Sequence, residues 1–484
     1  LRNRRDAHSW STIIEDHRER LDMVQADRER PRHLHRVRSP QPLIKKRLPT
    51  GRGATEQPNA TSDGDAELTL KFWIFIVLTG IGAGLFGDLM MVILFNVQHI
   101  TYHYHIGSFQ AAVGRAAPIY RLEMLTLAGA IGGPAWFILS KFTKGEHSEV
   151  DDIVWKGEGD LHIRKSLGTS VIQEVVIGMG ASLGREAAPK LLGAVSGSYL
   201  ARWGKLTPAQ KRLLIACGAG AGLAAVYNVP LGGALFTAEI MMGEITLPVV
   251  LPAILASVVA TYTAYLYLPD RATYVGVANY HFHLAQVIFA IVAGPLIGLF
   301  SVAFVRLMGM VTHHRFTGRW VLIGPLISFS ILGFIGMRYY QLFGNGKDMA
   351  HSVFLNQLGS LSLLAALFLL KPIVTALALG TGASGGLFTP TLSTGAVLGG
   401  FLGGLWNHVM PGAAIGSYAM IGAAAMMGAG MQAPLAGMVL VLELTHSGLD
   451  LIIPLMVATV LATTVARSVD GYSIYSARLA GGGE

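Results

Sequence analysis

Apolar residues in this chain arrive in runs of about 20, the length at which a helix crosses roughly 30 Å of hydrocarbon. Uninterrupted runs occupy residues 71–97, 121–140, 246–268, 283–309, 319–341 and 361–379, and charged residues gather in the gaps between them. The stretches 168–242 and 380–467 are also apolar, but Gly and Pro divide them into pieces too short to span alone. The pattern predicts an all-α integral membrane protein with broken helices. In transporters, interrupted helices of this kind line substrate sites near the midplane.

Composition sharpens this reading. Of 484 residues, 52% are hydrophobic and only 14% charged, which excludes a set of ordinary soluble domains. The net charge of +8 does not mark a nucleic-acid partner, because the excess Lys and Arg lie in the tail and in short loops rather than along one face. Residues 1–66 form a basic tail of disordered or surface-bound character, with Arg36, Arg38, Lys45, Lys46 and Arg47 ahead of the first span. Residues 98–120 carry only Arg115, whereas Lys141, Lys144, Lys156, Arg164 and Lys165 follow the second span. The positive-inside rule therefore predicts a cytoplasmic N-terminus, a first span running outward and a second returning. Cys217 has no partner for a disulfide and is assigned no role. Within the spans there is no nucleophile elbow, phosphate loop or His-rich metal set, so no enzyme activity, cofactor or metal is expected.

The chain repeats itself. The run GMGASLG at 178–184 matches GTGASGG at 380–386, and continues to Gly193 and Ala194 against Gly395 and Ala396. In the same order, residues 218–240, with PLGG at 230–233 and Glu239, match 422–444, with PLAG at 434–437 and Glu443. The offsets are 202 and 204 residues. The halves are placed at 67–268 and 269–480, with 481–484 as a flexible end. Duplicated membrane halves pack about a pseudo-two-fold axis with the site where interrupted helices meet. That locates a site at the equivalent turns following Gly184 and Gly386. Glycine permits the tight turn, and the free N–H groups of a helix start attract anions. Two such starts converging can replace a hydration shell without holding the ion too tightly, which points to a small anion.

In the first repeat the turn reads GREAAP at 184–189, placing the Glu186 carboxylate at an anion-seeking helix end. A carboxylate can fill an empty anion site and leave when an anion or a proton arrives, so Glu186 is the candidate gate and proton carrier. Simple helix capping is the alternative, but a midplane charge costs roughly 2.5–3.5 kcal/mol, which capping alone seldom offsets.

GREAAP, GGLFTP at 385–390 and the terminal SIYS at 473–476 resemble the CLC family of chloride channels and transporters over residues 70–480. The resemblance implies a CLC-type inverted-repeat helical bundle in the plasma membrane, a homodimer with a separate chloride pathway in each subunit, and no appended nucleotide-binding regulatory pair. It makes Glu186 the gating glutamate. The backbone N–H groups of Leu387 and Phe388, with Gly184, Arg185 and Gly386 in the turns, would surround the anion, and the Tyr475 hydroxyl would reach it from the inner side.

Two departures stand out. The family's usual G-S-G-I-P motif is missing, and counting back from Glu186 puts Gly145 where its anion-contacting serine would be. Ile240 occupies the position of the internal proton-relaying glutamate. Glu239 beside it has a repeat partner in Glu443, which suggests bracing, while Glu244 lies one turn beyond Ile240 and would substitute if the helix continued. Ile240 favours uncoupled conduction over chloride/proton exchange, and the missing serine raises a fluoride exporter as a further alternative. An organic-solute transporter is the rival from another class. Elsewhere, Asp88 reads as a structural charge within the first span, His99, His103 and His105 as an interfacial loop, and Asn345 as a turn.

Overall fold

The computed structural model describes residues 66–144, 150–156 and 160–479. Gly145, Ser148 and the basic tail before Ala66 lie outside the described residues. In the first part of the chain, α1 is Leu70–Tyr102, α2 Phe109–Arg115, α3 Pro118–Phe142, α4 Val150–Lys156, α5 Ile163–Gly178, α6 Ala187–Trp203, α7 Pro208–Tyr227, α8 Pro230–Leu235 and α9 Leu247–Ala264. In the second part, α10 is Leu284–His313, α11 Gly324–Gly336, α12 Lys347–Phe354, α13 Leu361–Gly380, α14 Phe388–Trp406, α15 Ile415–Met431, α16 Pro434–Thr445, α17 Ile452–Val469 and α18 Ser476–Leu479. A π-helical turn, Phe236–Met242, extends α8.

Among the described residues, seven helical segments are long and apolar enough to cross a membrane. Six correspond to the uninterrupted runs. The seventh, Leu449–Val469, falls where the Gly and Pro pattern predicted only short pieces. Its one proline, Pro454, sits in the first turn of α17, where a missing N–H breaks no helical bond. The run at 319–341 ends earlier than its apolar pattern, at Gly336, and is opened by a 3₁₀ turn, Gly318–Leu322. The first run extends further, so His99 lies in the last turn of α1 and His103 caps it in the left-handed region.

The order of elements repeats. Long α1, then α3, short α4, and α5 to α9 recur as long α10, then α11, short α12, and α13 to α17. Packing repeats with it: α1 lies on α9 as α10 lies on α17, and α6 lies on α7 as α14 lies on α15. The two helix pairs nearest the centre approach at backbone distance. A Cβ on Gly193 would collide with the carbonyl of Gly218, and one on Gly218 with that of Gly193. In the second repeat a Cβ on Gly395 would stand 2.7 Å from the Gly422 carbonyl oxygen. Small residues let helices close in where apolar lipid gives no hydrophobic push between them.

The repeats also clasp each other. Glu239 at the end of the first half accepts from the N–H groups of Leu435 (3.3 Å) and Ala436 (2.7 Å), the first turn of α16. Reciprocally, Glu443 accepts from Leu231 (3.0 Å) and Gly232, the first turn of α8. Each carboxylate thus satisfies two orphan donors and sits on the positive end of the partner's short helix.

We expect Gly193→Val to be disruptive, because its side chain meets backbone that cannot rotate away. Overpacking of this kind costs about 1–3 kcal/mol. A lowered thermal midpoint in detergent, read by loss of the monodisperse chromatographic peak, would register it, whereas Gly359→Val, in open space and without a left-handed backbone, should leave the midpoint in place.

Candidate anion site

Each repeat delivers its glycine turn to the same point. The Gly184 N–H donates to the Gly386 carbonyl and the Gly386 N–H to the Gly184 carbonyl, both at 2.8 Å. This reciprocal bridge pins the start of α6 to the start of α14 and fixes Glu186, the N-cap of α6, against Leu387, the N-cap of α14.

The Glu186 carboxylate does not cap its own helix. One oxygen, Oε1, accepts from the Phe388 N–H at 2.7 Å. The other, Oε2, accepts from the Thr389 hydroxyl at 3.0 Å and the Tyr227 hydroxyl at 3.4 Å. A negative group therefore lies on the N-terminus of α14, buried to 4% exposure, held by one backbone and two hydroxyl donors. Both glycine turns are needed for this pose, because a Cβ on either Gly184 or Gly386 would collide with Oε1. Charge-assisted hydrogen bonds and the helix end together make this a strong anion site.

Above the carboxylate, on the side where α1 ends, a cavity of about 450 Å³ closes down onto Tyr227. Arg185, Arg271 and Lys347 line it against the single carboxylate of Asp348, giving the approach a positive balance. The Arg185 guanidinium lies 5.0 Å from the Tyr227 ring centroid. Asn345 also lines this space; its Oδ1 accepts from the Lys347 N–H at 3.1 Å between Gly344 and Gly346, both with positive φ, so the predicted turn is an Asx turn.

On the opposite side of Glu186, Tyr475 is 7% exposed and meets Phe236 edge-on at 5.8 Å. Lys190, one turn past Glu186, places its ammonium 4.9 Å from the Tyr475 ring and pairs with Asp151 at 3.0 Å. Lys371 is fully buried near the bridge. Its ammonium donates to Ser182 Oγ and the Gly344 carbonyl, each at 2.8 Å, tying the first glycine turn to the 342–344 loop.

The structure thus brings together Gly184, Arg185, Glu186, Gly386, Leu387 and Phe388, with Tyr475 beyond them. Glu239 is engaged with α16, away from this cluster. The helix does not continue to Glu244: Gly243, at φ 76°, ends the π turn and leaves Glu244 exposed, because a left-handed residue breaks the helical path. Ile240 is 4% exposed. Asp88 is buried, and its Oδ1 has no hydrogen-bond partner among the described residues. No group of three metal-ligating side chains occurs among the described residues.

Sequence reasoning missed Thr389, Tyr227, Lys190 and Lys371. Thr389 was legible as a hydroxyl in the first turn of α14, inside GGLFTP. Lys190 follows Glu186 at helical spacing, and Lys371 is a lone charge inside the 361–379 run. Tyr227 carried no local signal; only the packing of α7 brings its hydroxyl to Glu186 and, at 2.6 Å, to Thr389.

Repeated halves, helix ends meeting at one buried carboxylate and a basic approach to it define a membrane anion transport protein. The chain belongs to the voltage-gated chloride channel (CLC) family, which matches residues 128–467. It is 31% identical over 379 residues to the voltage-gated ClC-type chloride channel ClcB of Citrobacter koseri, covering 76% of this chain and 89% of that protein. A slow cyanobacterial Cl⁻/H⁺ antiporter has the same fold, with a TM-score of 0.73 and 24% identity over 84% of this chain and 97% of the other. A CLC-type fluoride/proton antiporter superposes with a TM-score of 0.65 and 21% identity, again over 84% and 97%. The protein is a multi-pass membrane protein of chloride transport.

Removing the Thr389 hydroxyl should weaken the site without dismantling it. In a Glu186→Gln background, adding Thr389→Val is expected to raise the chloride dissociation constant about three- to tenfold, as one hydrogen bond of roughly 0.5–1.5 kcal/mol is lost. Calorimetric titration with chloride reads this directly, and equal affinities in the two proteins would remove Thr389 from the site.

Proposed function

We propose that chloride crosses this protein by taking the place of the Glu186 carboxylate at the start of α14. The observation that carries this reading is the set of three donors, the Phe388 N–H and the Thr389 and Tyr227 hydroxyls, already closed around a negative oxygen pair. An anion needs the same donors. While the ionised carboxylate occupies them the path is shut, and when it takes up a proton it loses the charge that holds it there. The cavity with Arg185, Arg271 and Lys347 collects anions on one side, and on the other Lys190, paired with Asp151, stands beside Tyr475. Leu387 and the glycine turns complete the coordination, and Tyr475 donates to the ion from the far side. Gly145 is the remaining proposed ligand position, taken from the family spacing.

In this reading the halves are 67–268 and 269–480, two copies form a homodimer with one pathway each, and the protein sits in the plasma membrane. The Arg-rich tail is cytoplasmic, so the Tyr475 side faces inward and the 450 Å³ cavity outward.

The sign of the pH effect follows from the gate. Wild-type chloride efflux from liposomes should rise several-fold as pH falls, because protonation releases Glu186. Glu186→Gln should transport at least as fast as wild type and show no pH dependence. A mutant that keeps the wild-type pH profile would take the gate away from Glu186.

A further inference from the structure

Helix α5 is built inside out. Between its start and Val175, the buried positions are Ser166, Ser170, Gln173 and Glu174, while Leu167, Val171, Ile172 and Val175 are only partly buried. Ordinary amphipathic helices do the reverse. Ser166, Ser170 and Glu174 are spaced i, i+4, i+8, so they form one file along the helix about 12 Å long. Gly168 on this helix meets Leu139 of α3, and Val176 meets Gly132 of α3. Those residues mark the α3 face; the file is two residues out of phase with it, on the opposite side, toward the protein interior.

All three side chains are fully buried, and Ser166 Oγ, Ser170 Oγ and both carboxylate oxygens of Glu174 find no hydrogen-bond partner among the described residues. Four unsatisfied oxygens in a row are rare in a folded protein, where buried polar groups are paired with protein or water. An ionised carboxylate so placed is costly, and the file is polar enough for water to bridge it. The file also points at the gate. Gln173, next to Glu174, donates to the Gly184 carbonyl at 3.3 Å, tying the end of α5 to the turn that carries Glu186. Of the elements packed on α5, namely α1, α3 and α6, the charges that act on Glu174 are Arg185 and Glu186 at the start of α6.

We propose that Ser166, Ser170 and Glu174 form a proton route along α5 that exchanges protons between the end of the bundle where α5 begins and Glu186, making transport proton-coupled. Glu174 is its carrier, replacing the carboxylate that Ile240 does not supply. Protonated Glu174 passes its proton toward ionised Glu186 and becomes the carboxylate. Ser170 and Ser166, with water, then return a proton to it, each hydroxyl accepting one and releasing one so that only Glu186 changes state. In this scheme a proton arriving at Glu186, along α5 or from the cavity side, frees the anion site and chloride entry follows, so blocking α5 removes proton movement through the protein but not release of the gate. The route depends on the proposed gating by Glu186, but not on which side of the membrane each end faces.

The test uses the full chain in liposomes loaded with chloride, with a chloride electrode and a pH electrode read together. Wild type is expected to move protons against their gradient as chloride runs down its own. Glu174→Gln keeps the shape but cannot carry a proton, and should lose at least about tenfold of the proton movement while chloride efflux stays within about twofold. Ser170→Ala should reduce proton movement several-fold with chloride efflux intact. Chloride efflux without uphill protons in wild type would overturn the route while leaving the anion site standing. Unchanged proton movement in both variants would also overturn it. So would parallel loss of chloride and proton movement in Glu174→Gln with Ser170→Ala fully coupled, which assigns Glu174 to structure. Absence of chloride efflux from wild type would instead strike at the anion site.

Discussion

The Glu186 carboxylate resting on the start of α14 depends on one constraint, the reciprocal hydrogen bonds between Gly184 and Gly386. That bridge brings two helix N-termini, one from each repeat, to a single point inside the bundle. Positive helix ends so close together repel unless a negative charge lies between them. In this structure the Glu186 carboxylate supplies that charge. The surrounding architecture serves the bridge: Lys371 ties the turn behind it, and paired glycines let α6 meet α7 and α14 meet α15 at backbone distance.

The paired glutamates near the ends of the two repeats illustrate how duplication is used twice in this fold. Glu239 and Glu443 each cap the partner half's short helix, so the halves cross-brace away from the pathway. Glu186 caps across the repeats as well, but its opposite number is Phe388, an apolar residue. The repeats differ at that position. A carboxylate in both turns would place two negative charges at one site; a carboxylate in neither would leave two helix ends facing each other with no negative charge between them.

Thr389, Tyr227 and Glu186 satisfy one another, and Lys371 is fully engaged with oxygens. The oxygens of Ser166, Ser170 and Glu174 are not satisfied by protein. Unpaired buried hydroxyls lie on other helices too, at Ser257 and Thr261 and at Thr459 and Thr463, but among the described residues α5 alone sets two of them in line with a carboxylate whose oxygens are both unpaired.

Much of this was legible in the sequence, because the bilayer enforces it. Spans show as apolar runs of fixed length, and duplication shows as two ordered matches, so the fold class and the turns around Glu186 and Phe388 could be read directly. Glycine could be assigned to the turns because it permits a tight turn and close backbone approach, whereas the clash of a Cβ with the Glu186 carboxylate is seen only in the structure. Contacts between segments far apart in the chain could not be read. Tyr227 reaches Glu186 only through the packing of α7, and the role of Glu239 depends on where α16 lies. Gly243 ends the helix before Glu244, although the apolar pattern alone allowed it to continue. The inward face of Ser166, Ser170 and Glu174 was undetermined too: helical periodicity puts them on one stripe, but only packing against α3 on the other side decides that the stripe points in.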